Sequence, residues 1–263
     1  GWEIEAEVVV DAEGAGAHLA RSLGLAQERR GVLYGVNCEV SGVDVEPHLI
    51  EIWLSQSIAH GLFAWVIPLG ESMARCGLAC NRGDPVERLE VFLRKRFNLE
   101  GAGLVRRGFV LTGGPVDRTY LDGLLVVGDA AGQTKATTGG GVILSGLCAI
   151  KAGEVVAEAV ETGDVSAGFL SSYEAWWKRS LGRDFSSMAS VRRILDGLSD
   201  ERLDRLFAVS REEGLESVVE GLVEGSDMDL QRGVIVRALR DPRVLRVLFR
   251  VLGRWVLGEF RGL

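Results

Sequence analysis

No apolar run in this sequence approaches the roughly 18 residues needed to span a bilayer. The opening GWEIEAE also lacks the basic and apolar regions of a secretory signal. Both absences point to a cytoplasmic chain. Cysteine is scarce: Cys38, Cys76, Cys80 and Cys148 show neither C-x-x-C spacing nor a neighbouring set of histidines, which argues against a zinc site and against a disulfide framework. The expectation is buried free thiols, with Cys76 and Cys80 on one face of a strand and open to reading as a redox pair. The three histidines are scattered. His18 follows an Ala-Glu-Gly segment, His48 begins an expected strand and His60 sits in an expected turn, so no catalytic triad and no metal site is expected. A net charge of −7 argues against nucleic acid as a partner. Charge is nevertheless uneven, because residues 237–263 carry seven arginines against Asp241 and Glu259.

What is present fits a globular chain of one large or two modest domains, with 47% hydrophobic and 25% charged residues in 263. A β-branched run predicts a strand over Ile4 to Val10, followed by a small-residue turn and a short helix around His18 to Leu23. From Val32 to Cys80 the pattern changes to VLYGVNCEV, LIEIWLSQS, LFAWVIPL and ARCGLAC, with turns at Gly42 to Asp44 and Gly70 to Ser72. Four strands with no helix between them read as an antiparallel sheet, one face of which can line a pocket. Asp84-Pro85 supplies an N-cap and a first-turn proline for a helix to about Phe97. Phe109 to Leu111 reads as extended, GGPVDRTYLDG as a loop, Leu124 to Val127 as a buried strand and Val142 to Glu161 as a helix. From Phe169 the spacing is helical, with breaks expected near Gly182, Gly214, Gly225 and Pro242.

The stretch LLVVGDAAGQTKATTGGGV, Leu124 to Val142, carries the most chemistry. An apolar strand ending in Gly128-Asp129 sets a carboxylate at the strand's carboxyl end, where α/β sheets bind ligands and where it can accept hydrogen bonds from sugar-like hydroxyls. Gly139, Gly140 and Gly141 lead into a helix, so unhindered N–H groups and a positive helix end face the same crevice, which suits an anion. Alone, these residues also describe a tight turn entering a helix.

In order and context they resemble the geranylgeranyl reductase family of FAD-dependent enzymes, within the para-hydroxybenzoate hydroxylase-like flavoproteins. GDAAGQTKATTGGGV, preceded by GGPVDRTYLDGLLVV, is similar to that family's second flavin-binding motif. AEVVVDAEGAGAHLARSLGL resembles its V-x-A-D-G-x-x-S segment, and FAWVIPLGESMARCGLA its Y-x-W-x-F-P motif. The resemblance covers about residues 4 to 160. It implies an α+β fold with part of a Rossmann-like FAD-binding domain over 1–30, an inserted antiparallel β-sheet substrate domain over 31–104, a return to the FAD-binding domain over 105–165 and a helical carboxyl-terminal domain over 166–263.

The resemblance further implies an FAD-dependent oxidoreductase that saturates C=C bonds of geranylgeranyl chains, on isoprenoid ether lipids of archaeal type. Asp129 would bind the ribityl chain, Gly128, Ala130, Ala131 and Gly132 would pass the pyrophosphate and ribityl, and Gly139, Gly140, Gly141 and Val142 would lie beside the isoalloxazine ring. Phe63, Trp65 and Pro68 map onto the substrate motif, where aromatic rings wall in an isoprenoid chain. Read by themselves, Phe63, Trp65 and Ile67 alternate on a strand as core residues do. Arg21 falls near flavin phosphate by the resemblance and on a solvated helix face by its spacing. The electron donor would be a nicotinamide or a ferredoxin-type protein. Two other readings share the motifs: a flavin monooxygenase or halogenase, and a non-catalytic isoprenoid-binding remnant.

Several positions depart from the family pattern. The strand, G-x-G-x-x-G turn and helix that bind the ADP part of FAD do not occur in this sequence, so it is expected to be the remainder of a longer chain. Glu13 stands for aspartate, Ala136 for proline and Phe63 for tyrosine; the last removes a hydroxyl that can donate a proton, and no catalytic residue is assigned. Near the carboxyl end, Arg243, Arg246, Arg250 and Arg254 recur opposite Leu245, Leu248, Phe249, Leu252, Trp255 and Val256. Residues 243–260 therefore read either as a peripheral membrane contact or as a helix docked on the core.

Overall fold

The structure, a computed structural model, describes residues 3–26 and 31–253. The chain opens with β1 (Val9–Asp11), a 3₁₀ turn at Gly14–Gly16 and α1 (His18–Ser22). The strand expected from Ile4 is shorter than its β-branched run suggests, because only three residues find a partner. Next come β2 (Val32–Ser41), β3 (Glu51–Trp53), β4 (Ala64–Pro68), β5 (Met73–Cys80) and α2 (Pro85–Phe97), then β6 (Arg106–Leu111), β7 (Tyr120–Leu121) and β8 (Leu124–Val126). Helices α3 (Val142–Thr162), α4 (Ala167–Asp196), α5 (Asp200–Glu212), α6 (Leu215–Val223), α7 (Arg232–Ala238) and α8 (Pro242–Leu252) complete the described chain. The α+β class expected from the sequence is the observed one.

Strands β3-β4-β5-β2-β6 form one antiparallel sheet, five strands instead of the expected four. The fifth, β6, pairs with β2 over Val32↔Leu111 to Asn37↔Arg106. Its sequence reads only as extended, and which sheet it joins is decided by a partner some 70 residues away. Val36, Cys38, Ala64, Val66, Cys76 and Leu78 point from one face into a core closed by Leu89, Phe92 and Leu93 of α2. That helix begins where Asp84 accepts from the N–H groups of Val86 and Glu87 at 2.7 and 3.1 Å, with Pro85 in the first turn. Strand alternation turns Gly35, Gly77 and Gly108 to the opposite face, together with Phe63 and Trp65. His48 lies in a turn before β3 and does not start a strand. Cys76 and Cys80 do share a buried face, but four residues along a strand separate them by about 13 Å, too far to bridge.

The second sheet has the order β1-β8-β7. Val9, Val10 and Asp11 pair in parallel with Leu124, Leu125 and Val126. Segment GGPVDRTYLDG is not all loop: Tyr120 and Leu121 fold back on Leu125 and Leu124 as a short hairpin arm. Helix α3 lays Leu144, Cys148, Ala152, Val155 and Ala159 against Leu170, Tyr173, Trp177 and Leu181 of α4, at the three- and four-residue spacing of one helix face. No break occurs at Gly182, which lies inside the 30-residue α4. One helical glycine costs about 1 kcal/mol, less than the burial of Trp177, Leu181, Phe185 and Met188 around it returns.

In the carboxyl-terminal part, Val247, Val251 and Leu252 of α8 are buried with Leu203 and Val209 of α5 and with Ile194 and Leu198. The arginines of α8 find partners on its own chain: Arg246 with Glu213 at 2.8 Å, Arg250 with Glu212 and Glu213 at 2.8 and 3.2 Å, and Arg243 with Asp241 at 3.3 Å. The face turned inward is that of Val247, Val251 and Leu252, so of the residues expected on the apolar side Leu252 is buried, Leu245 and Leu248 are half-buried and Phe249 is exposed; Arg254, Trp255, Val256 and the rest of 254–260 lie outside the described residues. Among the described residues no helix is long and apolar enough to cross a membrane.

Candidate functional site

Strand β8 is fully buried and ends in extended Val127. Gly128 then takes φ +66°, the left-handed region that costs glycine least. The chain turns sharply into a 3₁₀ turn over Gly128–Ala131 and presents Asp129 at the carboxyl end of the parallel pair. The turn is held from behind. Gln133 Oε1 accepts from Gly128 N at 2.8 Å, and the buried Gln133 amide and Tyr173 hydroxyl exchange hydrogen bonds at 2.8 and 3.2 Å. Burial raises the pKa of Tyr173, so its phenol stays protonated and able to donate.

A cleft of about 460 Å³ opens in front of this turn, lined by Ala12, Gly14, Gly128, Asp129, Gly141 and Ser145 among others. Oδ1 of Asp129 stands 2.9 Å from where a Cβ on Gly141 would be, and a Cβ on Gly132 would strike the Gly114 carbonyl. Gly141 therefore keeps room beside Asp129 in the cleft, whereas Gly132 lets the Gly114–Pro115 backbone pack directly against the turn. Asp11, next to Ala12 in the chain, is 4% exposed. Its Oδ1 accepts from Glu13 N at 3.1 Å, while Oδ2 has no hydrogen-bond partner among the described residues. Burial pushes its carboxyl up. Carboxylates beside unhindered backbone N–H groups at a helix start fit a ligand that carries both hydroxyls and negative charge.

Loop and aromatic wall rest on one cluster of the antiparallel sheet. Gly139, at φ +73°, packs directly on the Val110 side chain. Val110 and Phe63 in turn pack on Leu33, Leu62 and Ala79. The Phe63 and Trp65 rings meet edge to face at 6.2 Å. The Trp65 indole lies over Gly77, whose Cβ would stand 2.6 Å from Trp65 Cε2. Phe63 and Trp65 are thus brought to the side of the glycine loop. Pro68 is not: it pairs with Ala74 at the end of β4, on the face that alternation gives to Ala64 and Val66.

The other residues singled out in the sequence also find their places. Glu13 accepts from Leu19 N at 2.6 Å and so caps α1. Arg21 is exposed and meets His18 Nδ1 at 3.2 Å, and His60 Nδ1 meets Asn81 Oδ1 at 2.6 Å. Burial raises the pKa of all four cysteines, with Cys76 and Cys148 reaching about 12, so they are protonated at neutral pH. Sequence reasoning missed Gln133, Tyr173 and Thr134, whose hydroxyl donates to the Leu111 carbonyl at 2.8 Å. Gln133 and Thr134 lie within the quoted motif, but nothing local marks their partners.

No family model matches the chain. A digeranylgeranylglycerophospholipid reductase 2 of Methanothermobacter thermautotrophicus is 40% identical over 258 residues, covering 95% of this chain and 63% of that protein. A digeranylgeranylglycerophospholipid reductase of Methanocaldococcus jannaschii is 33% identical over 215 residues, covering 78% of this chain and 55% of that one. The chain therefore spans less than two thirds of the length of either relative. Among solved structures, a geranylgeranyl bacteriochlorophyll reductase-like protein from Thermoplasma acidophilum superposes with a TM-score of 0.74 at 24% identity, over 98% of this chain and 62% of that one. A flavin-dependent brominase shares the fold at a TM-score of 0.59 and 16% identity, over 94% of this chain and 62% of its own. With its motifs in order and its length aligned to reductases of this kind, the chain belongs to the geranylgeranyl reductase family.

Proposed function

We propose that this chain is the flavin-ring and alkene-binding portion of an FAD-dependent reductase that saturates C=C bonds of geranylgeranyl chains, on isoprenoid ether lipids. One observation carries the reading: Val110, on which the glycine loop before α3 packs, and Phe63 of the Phe63–Trp65 pair rest on the same Leu33, Leu62 and Ala79. The names of the relatives support the chemistry.

When bound, FAD would supply the hydride. The chain's own residues would hold and orient. Asp129 would take the ribityl hydroxyls, Gly128, Ala130, Ala131 and Gly132 would run beside the pyrophosphate and ribityl, and Gly139, Gly140, Gly141 and Val142 would border the ring. The first N–H groups of α3 have no partner within the helix and favour negative charge at that place. Phe63 and Trp65 would hold an alkene chain by apolar area, at about 25 cal/mol per Å², and exclude water. Phenylalanine at 63 offers no proton, so protonation of the second carbon falls to another group. Pro68 would act only by ending β4. Electrons would come from a nicotinamide or a ferredoxin-type protein. Peripheral contact with anionic lipid through residues 243–260 would rest, in the described part, on the arginines of α8, since Val247, Val251 and Leu252 are buried.

The test is a visible spectrum of the purified chain before and after excess FAD and gel filtration. Retained flavin bands, followed by anaerobic oxidation of the reduced flavin by a geranylgeranyl lipid, support the reductase. Oxidation that requires oxygen and leaves the lipid unsaturated favours the monooxygenase or halogenase reading. A colourless chain overturns flavin binding by these residues alone.

A further inference from the structure

The loop between the Gly-Asp turn and α3 is gripped from outside by the segment joining α6 to α7. Lys135 Nζ donates to Asp229 Oδ1 at 2.5 Å, with side chains 18% and 32% exposed. Two residues on, Thr137 Oγ1 donates to Gln231 Oε1 at 2.7 Å. Both bonds link residues 94 positions apart.

The loop is closed on itself around Lys135. Gly139 N donates to the Lys135 carbonyl at 2.7 Å, and Lys135 N to the Gly140 carbonyl at 2.8 Å. The Lys135 stem crosses Gly140, with Cε 3.0 Å from where a Cβ would stand. Moving Lys135 therefore moves Gly139 and Gly140. Its anchor is itself fixed: Asp227 Oδ1 accepts from the N–H groups of Asp229 and Leu230 at 2.8 and 3.2 Å, and Arg232 N donates to Asp184 of α4 at 2.9 Å. Leu230 and Ile235 pack on the α3–α4 core.

From this geometry we infer that Asp229 and Gln231 are positioning residues, which act through Lys135 and Thr137 to hold the glycine loop in one conformation. The clamp itself stands on the hydrogen bonds; its bearing on catalysis rests on the reading of this loop as the flavin-ring loop.

Amide hydrogen exchange on the whole chain tests it, comparing wild type with Asp229→Asn, Asp229→Glu and Gln231→Leu. In Asp229→Asn, exchange across 135–141 should quicken about tenfold, a loss of about 1.4 kcal/mol of local protection, while β2 and β5 stay unchanged. Asp229→Glu should restore most of that protection, and Gln231→Leu should give a smaller local effect. Unchanged exchange across 135–141 in both Asp229→Asn and Gln231→Leu overturns the clamp, as does quickening spread evenly over both sheets. FAD titration separates the two claims. Weaker binding in Asp229→Asn than in wild type supports the role at the site, and equal binding overturns it. A wild-type chain that binds no FAD overturns the flavin reading, and the exchange data then judge the clamp alone.

Discussion

Asp129 and Gly141 share one small space: the carboxylate Oδ1 stands 2.9 Å from the position a Cβ on Gly141 would take. Gly141 has φ −124°, a conformation open to any residue, so room and not backbone freedom requires glycine there. Gly141→Ala should displace the carboxylate and weaken FAD binding by about tenfold or more, about 1.4 kcal/mol. Thermal stability should fall by no more than a few degrees. Flavin titration with a parallel melt checks this, and unchanged affinity would show that Asp129 is not a cofactor contact.

The buried Gln133–Tyr173 pair supports the Gly-Asp turn. Tyr173→Phe strands the Gln133 amide in the core, at a cost of about 1–3 kcal/mol. Because Gln133 Oε1 also accepts from Gly128 N, flavin retention should fall with stability. Urea unfolding, read beside flavin absorbance, would show whether the two losses travel together.

Gly77 makes room for Trp65. Gly77→Ala places a methyl 2.6 Å from Trp65 Cε2 and from the Val36 carbonyl. The carbonyl belongs to a central strand and cannot retreat, so the indole must move, at about 1–3 kcal/mol. A shift in tryptophan emission is expected, together with weaker binding of a geranylgeranyl chain. Emission identical to wild type would mean the indole does not lie over this glycine.

Acid stability has an identifiable contributor. The Arg96 guanidinium donates to both oxygens of Glu51 at 2.6 to 3.1 Å, and Trp53 Nε1 donates at 2.9 Å. The hydrogen bond from Arg96 holds the Glu51 carboxyl below its ordinary value of 4.5. A folded pKa lowered in this way stabilises the fold above the ordinary value, and that stability is lost as pH falls through the folded one. Glu51→Gln should therefore cost about 1–3 kcal/mol near pH 7, and the two proteins should converge in stability as pH falls below the folded value. Denaturant midpoints across that range measure it; a constant gap would remove Glu51 from the acid response.

Much of the framework is local in origin and so was determined by the sequence. An apolar run ending in Gly128-Asp129 specifies a buried strand and a turn because the signal lies within ten residues. Asp84-Pro85 starts α2 for the same reason, and the spacing of Leu144, Cys148 and Ala152 prescribes the buried face of α3. The tertiary structure decided whatever depends on a distant partner. Arg106–Leu111 became a strand of the antiparallel sheet because β2 offered it an edge. Gly182 stayed helical because the burial of Trp177 and Phe185 outweighs the local cost of a glycine. That α8 is apolar on one side was plain in the sequence, but packing against α5 chose Val247, Val251 and Leu252 as the buried face and left Phe249 exposed. Gln133 met Tyr173 and Lys135 met Asp229 across 40 and 94 residues. Such pairings leave no periodicity in the chain, since the contact that stabilises each exists only after the intervening elements have packed.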